Sequence, residues 1–182
     1  MLKHISVSFI LTCSLLLSGC GEPEAQTQTP RLYSSADLIF SYPGNWKTIK
    51  RKEKERNKIV VESPGNTVVI IIPAKAKRAA NLRKFARAFS KSANKETPIT
   101  SVKSSKLLKT KGKYNFQTVT EKLTINLLGV EIPHTRIYHR KIINQKAYFI
   151  IAQFSNEDKK KIIKGVDMIS GSLKNIKNNG SV

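Results

Sequence analysis

Residues 147–154 read AYFIIAQF, and no other stretch constrains the fold as much. Successive side chains of a strand point to opposite faces. Tyr148, Ile150, Ala152 and Phe154 would share one face, and Ala147, Phe149 and Ile151 the other. Both faces are apolar, so this strand belongs at the centre of a sheet, with Phe149 and Ile151 buried. Val68–Ile72 (VVIII) is a second continuous apolar run and makes the same demand. Central strands that are apolar on both faces need cover on both sides of the sheet. Helices are the natural cover.

Two segments can supply it. Leu82, Phe85, Ala86 and Phe89 fall at i, i+3, i+4 and i+7, the spacing of one helix face. Asn81 stands before them as an N-cap, and Thr97-Pro98 stops the run. The spacing predicts a helix over 82–93. A second helix should start near Asn156, where Glu157 and Asp158 suit a positive helix N-terminus. Its stripe is Ile162, Val166, Ile169 and Leu173, with Ile163 alongside, and residues 175–182 read as a frayed tail.

The remaining strands follow from alternation and turn chemistry. Residues 38–42 (LIFSY) form a short strand ended by Pro43-Gly44-Asn45-Trp46. Trp46 is the only tryptophan and should pack over the core. Residues 47–58 (KTIKRKEKERNK) read as a charged connection with little periodicity. Ser63-Pro64-Gly65-Asn66 turns a hairpin between residues 59–62 and 67–72. Further strands are predicted over 102–110, 114–128, 134–143 and 146–154. Their turns are Lys111-Gly112-Lys113, residues 129–133 and Asn144-Gln145. Val119, Leu123, Ile125 and Leu127 share a face, opposite Thr118, Thr120, Lys122 and Thr124. That sheet region should be buried on one side and polar on the other.

The N-terminus carries an address. Lys3 precedes an apolar run from Ile5 to Leu17, then Leu17-Ser18-Gly19-Cys20. The run is shorter than the ~20 residues that span a bilayer. No A-x-A-like cleavage site precedes Cys20. The layout resembles a bacterial lipoprotein signal over residues 1–19, with Cys20 at the lipidated position. The resemblance implies a diacylated or triacylated Cys20 and a domain on the extracytoplasmic side of a membrane, periplasmic or at the surface. Residues 20–36 are polar, with Pro23 and Pro30, and read as a flexible tether. Sixteen coil residues would hold the domain on the order of 20–25 Å from the bilayer. The domain itself is expected over 37–176, and 177–182 as tail. Cys13 and Cys20 are the only cysteines, so the domain has no disulfide or thiolate-bound metal.

Lys and Arg number 33 against 12 Asp and Glu, a net charge of +21. Outside the cytoplasm the partners for such charge are anionic lipids, envelope polymers and acidic proteins. A solvated lysine surface is the alternative. Lys75, Lys77, Arg78, Arg83, Lys84, Arg87 and Lys91 lie between Pro73 and Ser92 with no acid among them. Arg83 and Lys84 fall in a helix first turn, where positive charge opposes the macrodipole. Stability alone would place acids there, so the cluster is a candidate anion- or partner-binding face. Nucleic acid suits neither an exported chain nor a cluster without interleaved aromatics.

Motifs for catalysis are missing from the sequence: no H-E-x-x-H, G-x-S-x-G, P-loop or dinucleotide fingerprint. His134 and His139, five apart, point to opposite faces of a regular strand and cannot share a metal. Glu121 and Glu131 are the only acids between Glu96 and Glu157, and nothing in the spacing brings them together. No metal or other cofactor is expected.

The order of motifs has a likeness. A strand runs into Tyr42-Pro43-Gly44-Asn45-Trp46, a hairpin ends in Ile72-Pro73, and Asn81-Leu82 leads to Phe85-Ala86. A meander follows, then Ala147–Ala152, a helix, and Ile169-Ser170-Gly171-Ser172-Leu173. Over about residues 37–176 this resembles the PsbP/Mog-type fold, which includes DcrB-like bacterial lipoproteins. The resemblance implies an α+β fold, an antiparallel β-sheet flanked by helices as an α/β/α sandwich. It also implies a non-catalytic binding or assembly protein. Direct binding of anionic lipid or envelope polymer through the basic helix face is the alternative, and an unrecognised hydrolase a distant third.

Overall fold

The computed structural model describes residues 29–175, apart from residues 36, 54–55, 66, 76–80, 94–99 and 112–115. Among them are nine strands and two helices. The strands are β1 (Arg31–Ser35), β2 (Leu38–Tyr42), β3 (Lys47–Glu53), β4 (Arg56–Glu62), β5 (Val68–Lys75), β6 (Thr100–Lys111), β7 (Gln117–Leu127), β8 (Val130–Ile143) and β9 (Lys146–Ser155). Helix α1 (Leu82–Ala93) lies between β5 and β6, and α2 (Lys159–Ser172) follows β9.

Seven strands make one antiparallel sheet in the order β3-β4-β5-β9-β8-β7-β6. The doubly apolar strand β9 takes the middle. Tyr148, Ile150, Ala152 and Phe154 enter one core with Val61, Val69, Ile71 and the α2 stripe Ile162, Val166, Ile169 and Leu173. Phe149 and Ile151 enter a second core with Ile72, Val119, Tyr138 and the α1 residues Leu82 and Ala86. Phe85 of α1 stacks on Phe149 with ring centroids 3.8 Å apart. The two helices thus cap opposite faces, as the sequence required. Trp46 is fully buried, and its ring lies against Gly165 in α2.

Several expectations need correction. Residues 31–35, assigned to the tether, form β1, which pairs with β2. Tyr33 is buried and stacks on Phe40 at 4.8 Å, enough to recruit a polar strand with one inward aromatic. This β1–β2 hairpin is a separate sheet, joined to the end of α2 by the bridge Ile39–Lys174. The charged stretch 47–58 is not an irregular connection. It forms β3 and the start of β4, in register from Lys47–Glu62 to Glu53–Arg56. Lysines suit an edge strand because they discourage pairing with other chains, and they mask the strand period.

The turn placed at residues 129–133 is shorter. Leu128 and Gly129 alone turn β7 into β8, with φ of 51° and 92°. Residues 130–133 continue the ladder, as far as Val130 opposite Leu127. Pro133 is tolerated because β9 ends with Ser155 opposite His134, so no ladder partner awaits its missing N–H. Its carbonyl accepts the Asn156 N–H at 2.9 Å. Helix α2 begins at Lys159 rather than Asn156. Ser155 Oγ donates to Asp158 Oδ2 at 2.7 Å and accepts the Asp158 N–H at 3.2 Å, holding a turn ahead of the helix. Asn175, expected in the tail, donates from Nδ2 to the Tyr148 hydroxyl at 3.4 Å. The signal segment with Cys20, the Lys111–Lys113 turn beyond Lys111, and the tail beyond 175 lie outside the described residues.

Candidate functional site

Helix α1 carries the candidate face. Asn81 caps it, accepting the Arg83 N–H at Oδ1 (2.8 Å) while its carbonyl accepts the Phe85 N–H. Leu82 and Ala86 are buried and Phe85 and Phe89 half-buried, so the apolar stripe faces the sheet. Arg83, Lys84, Arg87 and Lys91 are all exposed. Lys75 is exposed at the end of β5. Lys77 and Arg78 lie outside the described residues. The first turn of α1 contains no acid. Among the described residues none of these five cations has an ion-pair partner.

Beneath α1 the sheet holds a buried charge pair that sequence spacing did not reveal. Glu121 of β7 is fully buried, and Arg136 of β8 is nearly so. Arg136 Nη1 donates to Glu121 Oε2 at 3.0 Å. The Tyr138 hydroxyl donates to the same oxygen at 2.6 Å, and Ser90 Oγ of α1 donates to Oε1 at 2.6 Å. Arg136 Nε donates to Gln153 Oε1 at 2.8 Å, and its guanidinium lies 5.6 Å from the Phe89 ring centre. Burial, foremost, holds the Tyr138 phenol far above its ordinary pKa, so it stays a donor. The network ties α1 to the sheet and fixes the orientation of its basic face. The parity of β7 offered the signal: Glu121 lies between Val119 and Leu123 on the inward face. Every oxygen of the carboxylate is committed to these donors, which leaves Glu121 unsuited to acid–base work on a substrate.

At the N-terminus of α1 the face meets a cleft of about 430 Å³. Leu107, Leu108, Phe116 and Val119 give it an apolar wall, and Asn81, Arg83, Gln117 and Thr118 a polar margin. Its volume falls within the ~300–1,000 Å³ typical of small-molecule sites. Arg83 is thus a member of the basic face and, among the described lining residues, the cation of the cleft.

The histidines do not converge. His134 is half-buried with Nδ1 3.0 Å from the Ile132 carbonyl oxygen. His139 is buried, with Nδ1 2.9 Å from Thr118 Oγ1. They project from opposite faces of β8, by parity. Burial pushes the His139 pKa down to about 4, against a weaker upward pull from Asp167. Glu131 is exposed beside the β7–β8 turn, away from Glu121. Among the described residues no three His, Cys, Asp or Glu side chains are grouped closely enough to hold a metal.

No family model and no curated protein sequence matches the chain. Solved structures do resemble it. The cyanobacterial PsbP protein of Synechocystis, known from solution, is 11% identical, with a TM-score of 0.52 over 88% of this chain and 99% of that one. A crystal structure from Bacteroides thetaiotaomicron is 13% identical, with a TM-score of 0.48 over 85% of this chain and 51% of that one. LpqN of Mycobacterium tuberculosis, involved in cell envelope biogenesis, is 11% identical, with a TM-score of 0.41 over 81% of this chain and 89% of that one. The fold is therefore PsbP-like α+β, as the sequence resemblance implied. Identity this low speaks for the fold alone.

Proposed function

We propose that this chain is a non-catalytic, lipid-anchored cell-envelope protein that holds an acidic partner on the basic face of α1. One observation carries the reading: Arg83, Lys84, Arg87 and Lys91 are exposed, with no ion-pair partner among the described residues, on a helix that a buried network fixes to the sheet. A helix shaped by stability alone would offset its own N-terminal charge. The anchor rests on the lipoprotein-like layout around Cys20. The cleft beside Arg83 favours a second reading, in which the partner is an anionic amphiphile or envelope polymer. Its acidic group would meet Arg83 and its apolar part the Leu107–Phe116 wall.

The test replaces Arg83, Lys84 and Arg87 together by Gln. Binding is measured for three probes: polyglutamate, a glycerol phosphate polymer, and phosphatidylglycerol vesicles. Each cation near an anionic membrane is worth about 1 kcal/mol, so the triple variant should lose on the order of 3 kcal/mol on vesicles. High salt should weaken the parent's binding and bring the two proteins together. Preference for polyglutamate favours the acidic-protein reading, and preference for the lipid or polymer favours the second. Equal binding by parent and variant to all three probes at low salt refutes both.

A further inference from the structure

The β7–β8 hairpin ends in three exposed apolar residues, one of them in a backbone conformation that does not suit it. Leu127, Leu128 and Val130 are 39%, 84% and 63% exposed. Leu128 also sits at φ 51°, in the left-handed region that a two-residue turn gives to Asn, Asp or Gly. A single polar residue would relieve both penalties. Strain of this kind, once observed, points to a role.

The topology shows what this tip faces. Strand β8 runs from Val130, beside the tip, to Ile143 at the Asn144–Gln145 turn. Asp37, in the β1–β2 turn, pairs with Lys146 at 2.9 Å, so that turn lies at the Ile143 end of the sheet. The free end of the β1–β2 hairpin, Arg31 opposite Tyr42, therefore points the other way, as the β7–β8 tip does. The described chain begins at Thr29, beside Arg31 at this same end, and Cys20 precedes it by nine residues in the sequence. Helix α2 also starts toward that end, because β9 ends with Ser155 opposite His134, four residues from Val130. Its first residues, Lys159 and Lys160, are exposed. One end of the molecule thus combines the start of the described chain, an apolar wedge and the exposed cations Arg31, Lys159 and Lys160, with exposed Glu157 just ahead of the lysines. Glu131 stands one residue behind the wedge, opposite Asn126.

We infer that this end faces the bilayer, with the Leu127–Val130 tip inserted among the lipid headgroups and Lys159 and Lys160 on their phosphates. The orientation rests on the lipid-anchor reading above, whereas the insertion itself does not need the acyl chains. A protein pocket is the competing occupant.

The first test uses the full chain in its lipidated form, in vesicles of brominated phosphatidylcholine with phosphatidylglycerol. Trp46 is fully buried, so the parent gives the baseline. Leu128→Trp should add emission that is blue-shifted and quenched by the bromolipid. Unshifted, unquenched emission from Trp at this position overturns the proposal and leaves a protein pocket as the occupant. The second test uses residues 21–182, since residues 33–173 close both cores. Burying a leucine favours binding enough that Leu128→Asn should weaken vesicle partitioning roughly ten-fold or more. The same variant should withstand urea at least as well as the parent. Undiminished partitioning overturns the proposal. Palmitate labelling of Cys20→Ser reports on the anchor separately: label retained in that variant removes the anchor and leaves the insertion tests standing.

Discussion

Glu121→Gln is the sharpest test of how this fold is held together. The substitution keeps the volume and removes the charge. Arg136 is 3% exposed and Glu121 0%, so water cannot take over the pairing. Removing one partner of such a pair typically costs about 3–5 kcal/mol, because the other charge stays buried. Here Arg136 keeps Gln153 and the Phe89 ring, and a Gln oxygen can still accept one donor. The lower end, about 3 kcal/mol, is therefore expected. Against a total stability of roughly 5–15 kcal/mol, that loss is large. With a urea slope of about 1–3 kcal/mol/M the midpoint should fall by roughly 1–3 M. Trp46, the single buried tryptophan, reports the transition. The α1 amides should also exchange faster, since Ser90 loses its charged acceptor. Tyr138→Phe, which removes the short bond to Glu121 and the longer one accepted from Arg136 Nη1 at 3.4 Å, should cost about 1.5–3 kcal/mol. The double change Glu121→Leu with Arg136→Met should recover most of the loss, because no charge is left stranded. A loss below about 1 kcal/mol for Glu121→Gln would mean that the pair is not desolvated, and the reasoning fails.

Two further outcomes follow from single contacts. Gly165→Ala should destabilise by about 1–3 kcal/mol despite the better helix propensity of Ala. Its Cβ would lie 2.7 and 2.9 Å from Trp46 ring carbons and 3.0 Å from Pro43 Cγ, and a urea melt showing higher stability would refute that packing. The domain should also lose stability in mild acid through His139. The unfolded chain takes up its proton near pH 6.5 and the folded chain only near pH 4. Stability is thus complete above about pH 6.5 and is lost progressively down to pH 4, by about 3 kcal/mol in all. The loss should shrink in His139→Gln, measured as unfolding free energy at pH 7 and 4.5, and an unchanged slope would refute the assignment.

The layers of the fold were legible because their signals are redundant. In β9 both parities are apolar, and only a central position satisfies both. In α1 and α2 the stripes agree with their flanking turns, and Asn81 caps α1 as its residue type suggests. The missed elements lack such agreement. Strand β1 buries one side chain, Tyr33, which a five-residue window cannot separate from a tether. Strand β3 lies at the sheet edge, where lysines hide the alternation. The β7–β8 turn was misplaced because Leu128 occupies a left-handed position that sequence rules give to Asn or Gly. The Glu121 network is a tertiary fact: Ser90 lies 31 residues away, and only the packing of α1 brings it to the carboxylate. The basic face was legible as a helix surface, whereas Arg83's place at the cleft depends on where β6 ends and β7 begins.

The placement of charge bears on what the cations are for. Among the described residues, the buried cation of the α1-side core, Arg136, is matched to a carboxylate, a glutamine and an aromatic ring. Some exposed cations lack such matching. Lys106 faces Lys122 directly across β6 and β7, where like charges are unfavourable. Lys122 is partly satisfied by donating to Thr135 Oγ1 at 3.1 Å, yet no acid stands opposite it. Arg83 and Lys84 oppose the α1 dipole. Each arrangement costs a few tenths of a kcal/mol to about 1 kcal/mol, and an acid at any of these positions would remove it. A surface selected only for solubility gains more from Asp and Glu than from Lys and Arg. Tolerating unfavourable cations at several unrelated positions is what an anionic surrounding would favour. Under the reading proposed above, a membrane or polymer on one side of the domain would supply the missing negative charge from outside, and the fold would have no need to encode it.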